Sequence, residues 1–230
     1  MNKNLTEIAY ILDRSGSMQP LAEQAVAAFN SFLEDQKSDT GSARLTLALF
    51  DDVYDVPING VPLDEITPLT AADYQPRDMT ALLDAIGQTI EDLGKRLEAI
   101  PEAERPGSVI VAIFTDGFEN SSQRFTWAEV SERIKHQREV YKWEFLFLGA
   151  NQDAIATAAS LNIDACNSSS YVADGVGLRS TSAALSQKAM ALRRISSGRA
   201  SEDEVAFMKI PMSDVVHEED RKRREKSDGE

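Results

Sequence analysis

Short apolar runs alternate with helical patterns along this chain. Four runs predict buried strands: EIAYIL (7–12), RLTLALF (44–50), SVIVAIF (108–114) and EFLFLGA (144–150). Continuous apolar runs of this length are typical of parallel strands covered on both faces. A fifth run, VYDVPINGVPL (53–63), follows the second after a tight connection, and its prolines suit an edge strand. We therefore predict an α/β fold with a doubly wound, mainly parallel sheet and one antiparallel strand at or near its edge.

The helical patterns lie between these runs and predict helices on both faces of the sheet. The clearest covers 79–100, where apolar residues recur every three or four positions. A second covers 20–36, with Pro20 suited to a first helical turn. A third covers 126–141, where Thr126 and Glu129 have the spacing of a capping box. Further helices are predicted over 152–161 and 178–196.

The helical pattern decays beyond Gly198. The last stretch, HEEDRKRREKSDGE, is nearly all charged and has no apolar face to bury. We therefore predict one domain over residues 1–198 and a charged, mobile tail over 199–230 that contributes little to folding. Val205, Phe207, Met208 and Ile210 are the apolar exceptions within that tail.

Composition and charge exclude several classes of function. The 230 residues are enough for one well-packed domain, and the net charge of −14 argues against binding to nucleic acid, which needs a cationic face. The single cysteine, Cys166, excludes an internal disulfide and a cysteine-based zinc site. The apolar runs are too short for a signal peptide or a membrane span, so we expect a cytoplasmic protein without a membrane partner.

Oxygen-bearing side chains follow two of the predicted strands. Asp13, Ser15 and Ser17 come directly after the first, in DRSGS, and Asp116 follows the run that ends in FTDG. Thr80 stands at the start of the clearest helix. Ligands of open parallel sheets bind beyond the carboxyl ends of the strands, so these loops are expected to converge. Hydroxyl and carboxylate oxygens suit Mg²⁺ or Mn²⁺ and disfavour zinc.

Each of these motifs taken alone has an ordinary structural explanation. Aspartate and serine are common in turns, a threonine at a helix start is usually a cap, and TDG is mostly a turn. Their conjunction, in this order and at strand ends or helix starts, indicates a metal site. Gly16, within DRSGS, allows the close backbone approach that such a loop needs.

At these residues the sequence resembles the von Willebrand factor A family, whose metal-ion-dependent adhesion site reads Asp-x-Ser-x-Ser, then a distant Thr, then a distant Asp. The matching stretches are DRSGS, MTALLDA and FTDG, and the likeness in element order covers roughly residues 5–196. The resemblance, to bacterial stand-alone members, implies that Ser15, Ser17 and Thr80 ligate the metal. Asp13 and Asp116 would act directly or through water, and one open position would accept a carboxylate from an Asp or Glu of a partner protein.

Several neighbouring residues are candidates for partner binding, although loop polarity alone explains most of them. They are Arg14, Met18, Phe118, Glu119 and Asn120. Asn151 and Gln152, at the end of the run 144–150, carry the same ambiguity. Asp51, Asp52 and Asp55 are interpreted as a solvated hairpin turn. Family members often serve multi-protein machines that include ring-forming ATPases, but nothing in the sequence singles out such a partner.

Two enzymatic alternatives compete with a binding module. A Mg²⁺-dependent phosphohydrolase would use Asp13 as its nucleophile, but such chemistry usually needs a second acid two residues on, where Ser15 stands. A serine hydrolase lacks both a Gly-x-Ser-x-Gly elbow and a well-placed histidine, since His136 and His217 lie in a helix and in the charged tail. We therefore favour a protein without enzymatic activity.

Overall fold

A computed structural model describes residues 1–77, 79–150 and 154–227. Within them the sheet has six strands in the order β3-β2-β1-β4-β5-β6. Their bounds are β1 Asn2–Asp13, β2 Ser42–Phe50, β3 Tyr54–Pro62, β4 Pro106–Thr115, β5 Glu144–Ala150 and β6 Ser168–Tyr171. The β2–β3 pairing is antiparallel and the other pairings are parallel. The predicted mainly parallel sheet with an antiparallel edge strand is confirmed.

The described helices lie on both faces of this sheet. Their bounds are α1 Ala22–Ser38, α2 Leu82–Glu98, α3 Trp127–Tyr141, α4 Ala154–Ser160, α5 Gly175–Ser196, α6 Glu202–Phe207 and α7 Met212–Ser227. Thr126 caps α3 and forms the predicted capping box with Glu129. The first two residues of the helix predicted over 152–161 lie outside the described residues.

Two apolar layers enclose the sheet because the side chains of β1 alternate between its faces. Ile8, Tyr10 and Leu12 pack on the side covered by α1, α5 and α7. Ala9 and Ile11 pack on the other side, against α2 and α3. This central strand is therefore buried on both faces, and its carboxyl end is fixed within the molecule.

Strand β6 has no apolar run in the sequence and was not predicted. Its four residues, Ser168–Tyr171, read SSSY, and three of the four are buried. Serine is not a typical strand former, and a short edge strand carries too few residues to show an alternating pattern. The strand forms because it pairs with β5 and is covered by neighbouring helices, which is a tertiary effect.

The structure corrects the prediction for the tail. Residues 202–207 and 212–227 form α6 and α7, and Met212, Val215 and Val216 are buried in the core layer beside α5. The prediction of few apolar contacts after Gly198 was wrong, because three apolar residues spaced along one side of a charged helix suffice to dock it. Among the described residues, no helix is both long and apolar enough to cross a membrane.

Candidate metal centre

The loop after β1 gathers three of the predicted metal residues. Asp13 is the last residue of β1, which lies between β2 and β4, so this loop opens at the point where the strand order reverses. The backbone N–H of Ser15 donates to Asp13 Oδ1 at 2.7 Å, which turns the chain. A short 3₁₀ helix over Gly16–Leu21 follows, and the Ser15 and Ser17 Oγ atoms lie 3.1 Å apart.

The other two predicted residues reach the same place from different elements. Asp116 directly follows β4, and Ser17 Oγ donates to Asp116 Oδ1 at 2.6 Å. Thr80 comes from the segment before α2. A Cβ atom placed on Gly117 would lie 2.7 Å from Thr80 Oγ1 and 3.2 Å from Ser15 Oγ, so Thr80 and Ser15 border the same space. The structure therefore brings all five predicted residues together.

The electrostatics of this cluster favour a bound cation. Burial raises the pKa of Asp13 to about 6, although hydrogen bonds from Thr115 and Ser15 oppose the rise and the carboxyl of Asp116 adds to it. Burial also raises the pKa of Asp116, against a hydrogen bond from Ser17. Two carboxyl groups are thus held close together in a poorly solvated place, where a divalent ion would relieve their repulsion.

Two supporting residues were not identified from the sequence. Thr115 Oγ1 donates to Asp13 Oδ2 at 2.5 Å, and the Tyr74 hydroxyl donates to the carbonyl oxygen of Asp13. Thr115 stands inside the FTDG motif, so that motif could have suggested it. Tyr74 lies in a loop without periodic pattern, and no local signal points to its role.

The rim of the site, formed by the loop after β4 and the segment at the start of α2, is cross-linked by Glu119 and Asn120. The Asn120 side chain accepts from the Thr80 N–H at 2.9 Å, while the Asn120 N–H donates to the Thr80 carbonyl at 3.0 Å. The Glu119 carboxylate accepts from the Leu83 N–H at 2.9 Å and from Ser122. These two predicted partner-binding residues thus have structural partners of their own, which tie the loop after β4 to the loop before α2.

Arg14 and Asp51 form a buried ion pair that the sequence analysis did not anticipate. Arg14 Nε lies 2.9 Å from Asp51 Oδ2, and the Asp51 side chain is 0% exposed. Arg14 is also buried, so its predicted role on the surface was wrong. Asp51 does not belong to a solvated turn, because a buried guanidinium requires a buried anion. Asp52 and Asp55 are exposed, as predicted.

Two partner-binding candidates remain, Met18 and Phe118; the first is buried and the second is exposed. Met18 is 0% exposed and packs in the core layer beside α1, so its predicted place on the rim was wrong. The 3₁₀ helix that contains Met18 directs its apolar side chain into the core. Phe118, in contrast, is 67% exposed. Asn151 and Gln152 lie outside the described residues.

The strand order, with the polar cluster at its reversal point, is that of a doubly wound α/β fold, and solved structures that include von Willebrand factor A domains share this fold. Proximal thread matrix protein 1 from the mussel byssus matches with a TM-score of 0.57 and 14% identity, over 81% of this chain and 46% of that one. Another structure of that protein, with a zinc-occupied MIDAS motif, matches with a TM-score of 0.57 and 15% identity, over 80% of this chain and 46% of that one.

Two microbial structures extend the comparison. A von Willebrand factor type A structure from Catenulispora acidiphila matches with a TM-score of 0.53 and 16% identity, over 81% of this chain and 42% of that one. The ArnB paralog VWA2 from Sulfolobus acidocaldarius matches with a TM-score of 0.53 and 13% identity, over 80% of this chain and 45% of that one. The chain thus spans less than half the length of these structures. No family model matches the sequence, and a search of curated proteins finds no match.

Proposed function

We propose that this chain is a protein-binding module that depends on a divalent metal ion, Mg²⁺ or Mn²⁺, held by Asp13, Ser15, Ser17, Thr80 and Asp116. The observation that carries the proposal is the convergence of three hydroxyl groups and two carboxyl groups at the reversal point of the sheet. When bound, the ion would supply a positive centre for a carboxylate from an Asp or Glu of a partner protein.

The residues present fit such an ion. All five candidate side chains offer oxygen, which hard divalent cations prefer. Gly117 leaves open the space between Thr80 Oγ1 and Ser15 Oγ that a side chain would fill. Three of the five side chains are neutral hydroxyls, so water would fill the rest of the coordination sphere, and a partner's carboxylate could replace that water.

Zinc is the metal that the proposal must be tested against. One structure of the mussel byssus protein has zinc in its MIDAS motif. The donor set here has no thiolate or imidazole among the five candidate residues, which is why we favour magnesium or manganese. A direct comparison of the three ions decides this point.

The phosphohydrolase alternative is less well supported by the geometry. Asp13 would have to attack a phosphorus atom, but it is 0% exposed. One of its carboxylate oxygens accepts from the Ser15 N–H and the other accepts from the Thr115 hydroxyl. A nucleophile needs room for a phosphorus atom to approach one of its oxygens in line, which a buried carboxyl lacks, whereas a metal ion can be held through a bound water. We therefore propose that the site binds a partner without catalysing a reaction.

Calorimetric titration of the full chain with MgCl₂, MnCl₂ and ZnCl₂ tests the proposal. We expect one ion per chain for magnesium or manganese, and a loss of affinity of at least about 100-fold in Ser15→Ala and Asp116→Ala, because each removes a donor that has no substitute. Asp52→Ala is the matched control, since it removes an exposed carboxylate from the nearby β2–β3 turn. Binding of zinc alone, or equal heats in Asp116→Ala, would refute the assignment.

A further inference from the structure

Two large apolar side chains are exposed on the loops that supply the metal residues. Met79 directly precedes Thr80 and is 42% exposed, and Phe118 stands two positions after Asp116 and is 67% exposed. Both lie outside the core layers of the described structure. A rim that carries a phenylalanine and a methionine beside a candidate metal site has an apolar surface available to a partner.

The loops that carry these side chains are held rigidly. Two hydrogen bonds join Asn120 to Thr80, one from each backbone N–H. Glu119, next to Phe118, accepts from the N–H groups of Ser121 and Ser122 as well as from Leu83. Phe118 is therefore presented on a constrained loop, so that ordering it on binding costs little entropy.

A cation lies on the same rim. The Arg77 N–H donates to the Arg14 carbonyl at 2.8 Å, and Arg77 forms an isolated β-bridge with Ser15, so it lies beside the metal loop. Its Nε lies 3.1 Å from the buried Asp51, while half of the side chain stays exposed. In a chain of net charge −14, this anchored guanidinium would favour an acidic occupant locally.

We infer that the rim formed by Arg77, Met79 and Phe118 binds an acidic peptide segment in which the metal-binding carboxylate is flanked by a large apolar side chain. This inference rests on the proposed function and adds the chemistry of the partner to it. The apolar side chain would pack against Met79 and Phe118, and a further acidic side chain would face Arg77. A second copy of the chain is a poorer occupant, because two chains of net charge −14 repel each other far more strongly than one such chain repels a short peptide with one or two acids.

The test uses two random peptide libraries displayed on phage, one with a fixed central Asp and one with a fixed central Asn. Both are selected on the full chain in MgCl₂ and in chelator. The variant is Met79→Ser combined with Phe118→Ser, and the matched control is Tyr141→Ser, since Tyr141 is 60% exposed at the far end of α3. Melting temperatures establish that all chains are folded, and sedimentation in MgCl₂ reports self-association.

We expect the Asp library to be enriched in magnesium only, with Phe, Leu, Ile, Met or Trp within two positions of the fixed acid. In the double variant the acid and metal dependence should persist, while the apolar preference disappears and the selected peptides bind at least about tenfold more weakly. Tyr141→Ser should match the wild type. In Arg77→Gln the preference for a second acid should disappear.

The outcomes separate the two hypotheses. Metal-dependent enrichment of acidic peptides with no apolar preference, or with one that the double variant retains, would overturn the inference and leave the proposed function standing. Absence of any enrichment that depends on both metal and Asp would overturn the proposed function, and the inference with it. Self-association in magnesium that the double variant abolishes would assign the rim to a second copy and overturn the peptide assignment.

Discussion

Two regions of the molecule, which we call the metal edge and the C-terminal segment, each involve a buried cation, but the cations have different partners. The metal edge comprises the five candidate metal residues and the loops that carry them, and the C-terminal segment comprises residues 199–227. At the metal edge, Arg14 binds the carboxylate of Asp51. In the C-terminal segment, Lys188 of α5 is 0% exposed, and its Nζ donates to the carbonyl oxygens of Phe207, Met208 and Ile210 at 3.2, 3.3 and 2.5 Å. One cation is neutralised by an acid, whereas the other satisfies carbonyl groups at the end of a helix.

This difference separates the region that we propose for binding from one that contributes to stability. At the metal edge, Arg14 and Asp51 pair with each other. Among the described residues, in contrast, the hydroxyls of Ser15 and Ser17 hydrogen-bond only within the cluster of candidate metal residues, and Thr80 Oγ1 borders its open space. In the C-terminal segment, Lys188 is committed to the turn between α6 and α7, and the apolar side of α7 covers the core layer. We therefore expect changes in the segment to alter stability and changes at the edge to alter binding.

The largest expected effect comes from deleting residues 199–230. The deletion exposes core that Met212, Val215 and Val216 cover, and each such side chain contributes roughly 1.5–3 kcal/mol when buried. We expect the free energy of unfolding to fall by about 5 kcal/mol or more, and the melting temperature by more than about 10 °C. Thermal and urea unfolding measure this. A chain shortened only after Ser227 is the control, and equal melting temperatures for both deletions would show that the segment is not packed.

The next largest effect is expected for Asp51→Asn. The substitution removes the buried anion of Arg14 and leaves only the exposed Asp55 carboxylate, 3.5 Å from Arg14 Nη1, so we expect a loss toward the lower end of the about 3–5 kcal/mol typical of broken buried pairs. Urea unfolding of the metal-free protein measures the loss. Asp52→Asn is the matched control, because Asp52 is exposed in the same turn and should change stability by less than about 0.5 kcal/mol. If both variants lose the same small amount of unfolding free energy, the ion pair does not stabilise the metal edge.

A smaller effect is expected for Lys188→Met, which retains a long side chain and removes the ammonium group. Three carbonyl oxygens lose their donor, at a cost of about 2–3 kcal/mol. Burial lowers the pKa of Lys188, so the native state binds its proton less strongly than the unfolded state does. Wild-type stability should therefore rise as the pH increases through the range between the native and the unfolded pKa, so the loss on substitution is smallest at neutral pH and grows toward pH 10. Urea unfolding measures it. Lys37→Met, at a partly exposed lysine of α1, is the control; an equal loss there would contradict the role of Lys188.

The smallest effect concerns Tyr10, which packs edge-on against Phe29 in the core layer that α1 shares with α7. Burial raises the pKa of Tyr10 above its usual value near 10. Since the native state keeps this proton where the unfolded state loses it, stability is fully present below pH 10 and falls above it. The fall is at most about 1.4 kcal/mol per pH unit.

Tyr10→Phe isolates this contribution, because it retains the ring and removes the ionisable hydroxyl. The difference in free energy of unfolding between the wild type and the variant should be constant from pH 7 to pH 9. Above pH 10 the free energy of unfolding of the wild type should fall relative to that of the variant. A constant difference up to pH 11 would show that Tyr10 does not contribute to alkaline unfolding. Tyr141→Phe, at an exposed tyrosine, is the control.

Local sequence pattern predicted the scaffold of the metal edge because the interactions there are short in sequence. Ser15 and Asp13 are two residues apart, and the turn between them depends on their own side chains. The apolar runs predicted five of the described strands because buried parallel strands need continuous apolar sequence. The convergence of Asp13 and Asp116 was predictable as well, since the carboxyl ends of parallel strands share one edge, while Thr80 was assigned to the site from its position at a helix start.

The supporting contacts were not predictable because they join residues that are distant along the chain. Tyr74 lies 61 positions from Asp13, and nothing in its neighbourhood marks it as a donor. Arg14 and Asp51 are 37 positions apart. Each of them resembles an ordinary polar loop residue, and only the folded chain shows that the two are buried as a pair.

The sequence by itself determined the mainly parallel α/β sheet and the five candidate metal residues, because apolar periodicity and short turn motifs are encoded locally. Only the tertiary structure decided that Met18 is buried, that Arg14 pairs with Asp51 and that α7 docks on the core. Whether a side chain is buried depends on which part of the chain packs against it in the fold. In α7 most residues are charged, and the local sequence does not show that a few apolar residues among them dock the helix on the core. The free energy of docking comes from surfaces brought together across the whole fold, and a local pattern cannot contain it.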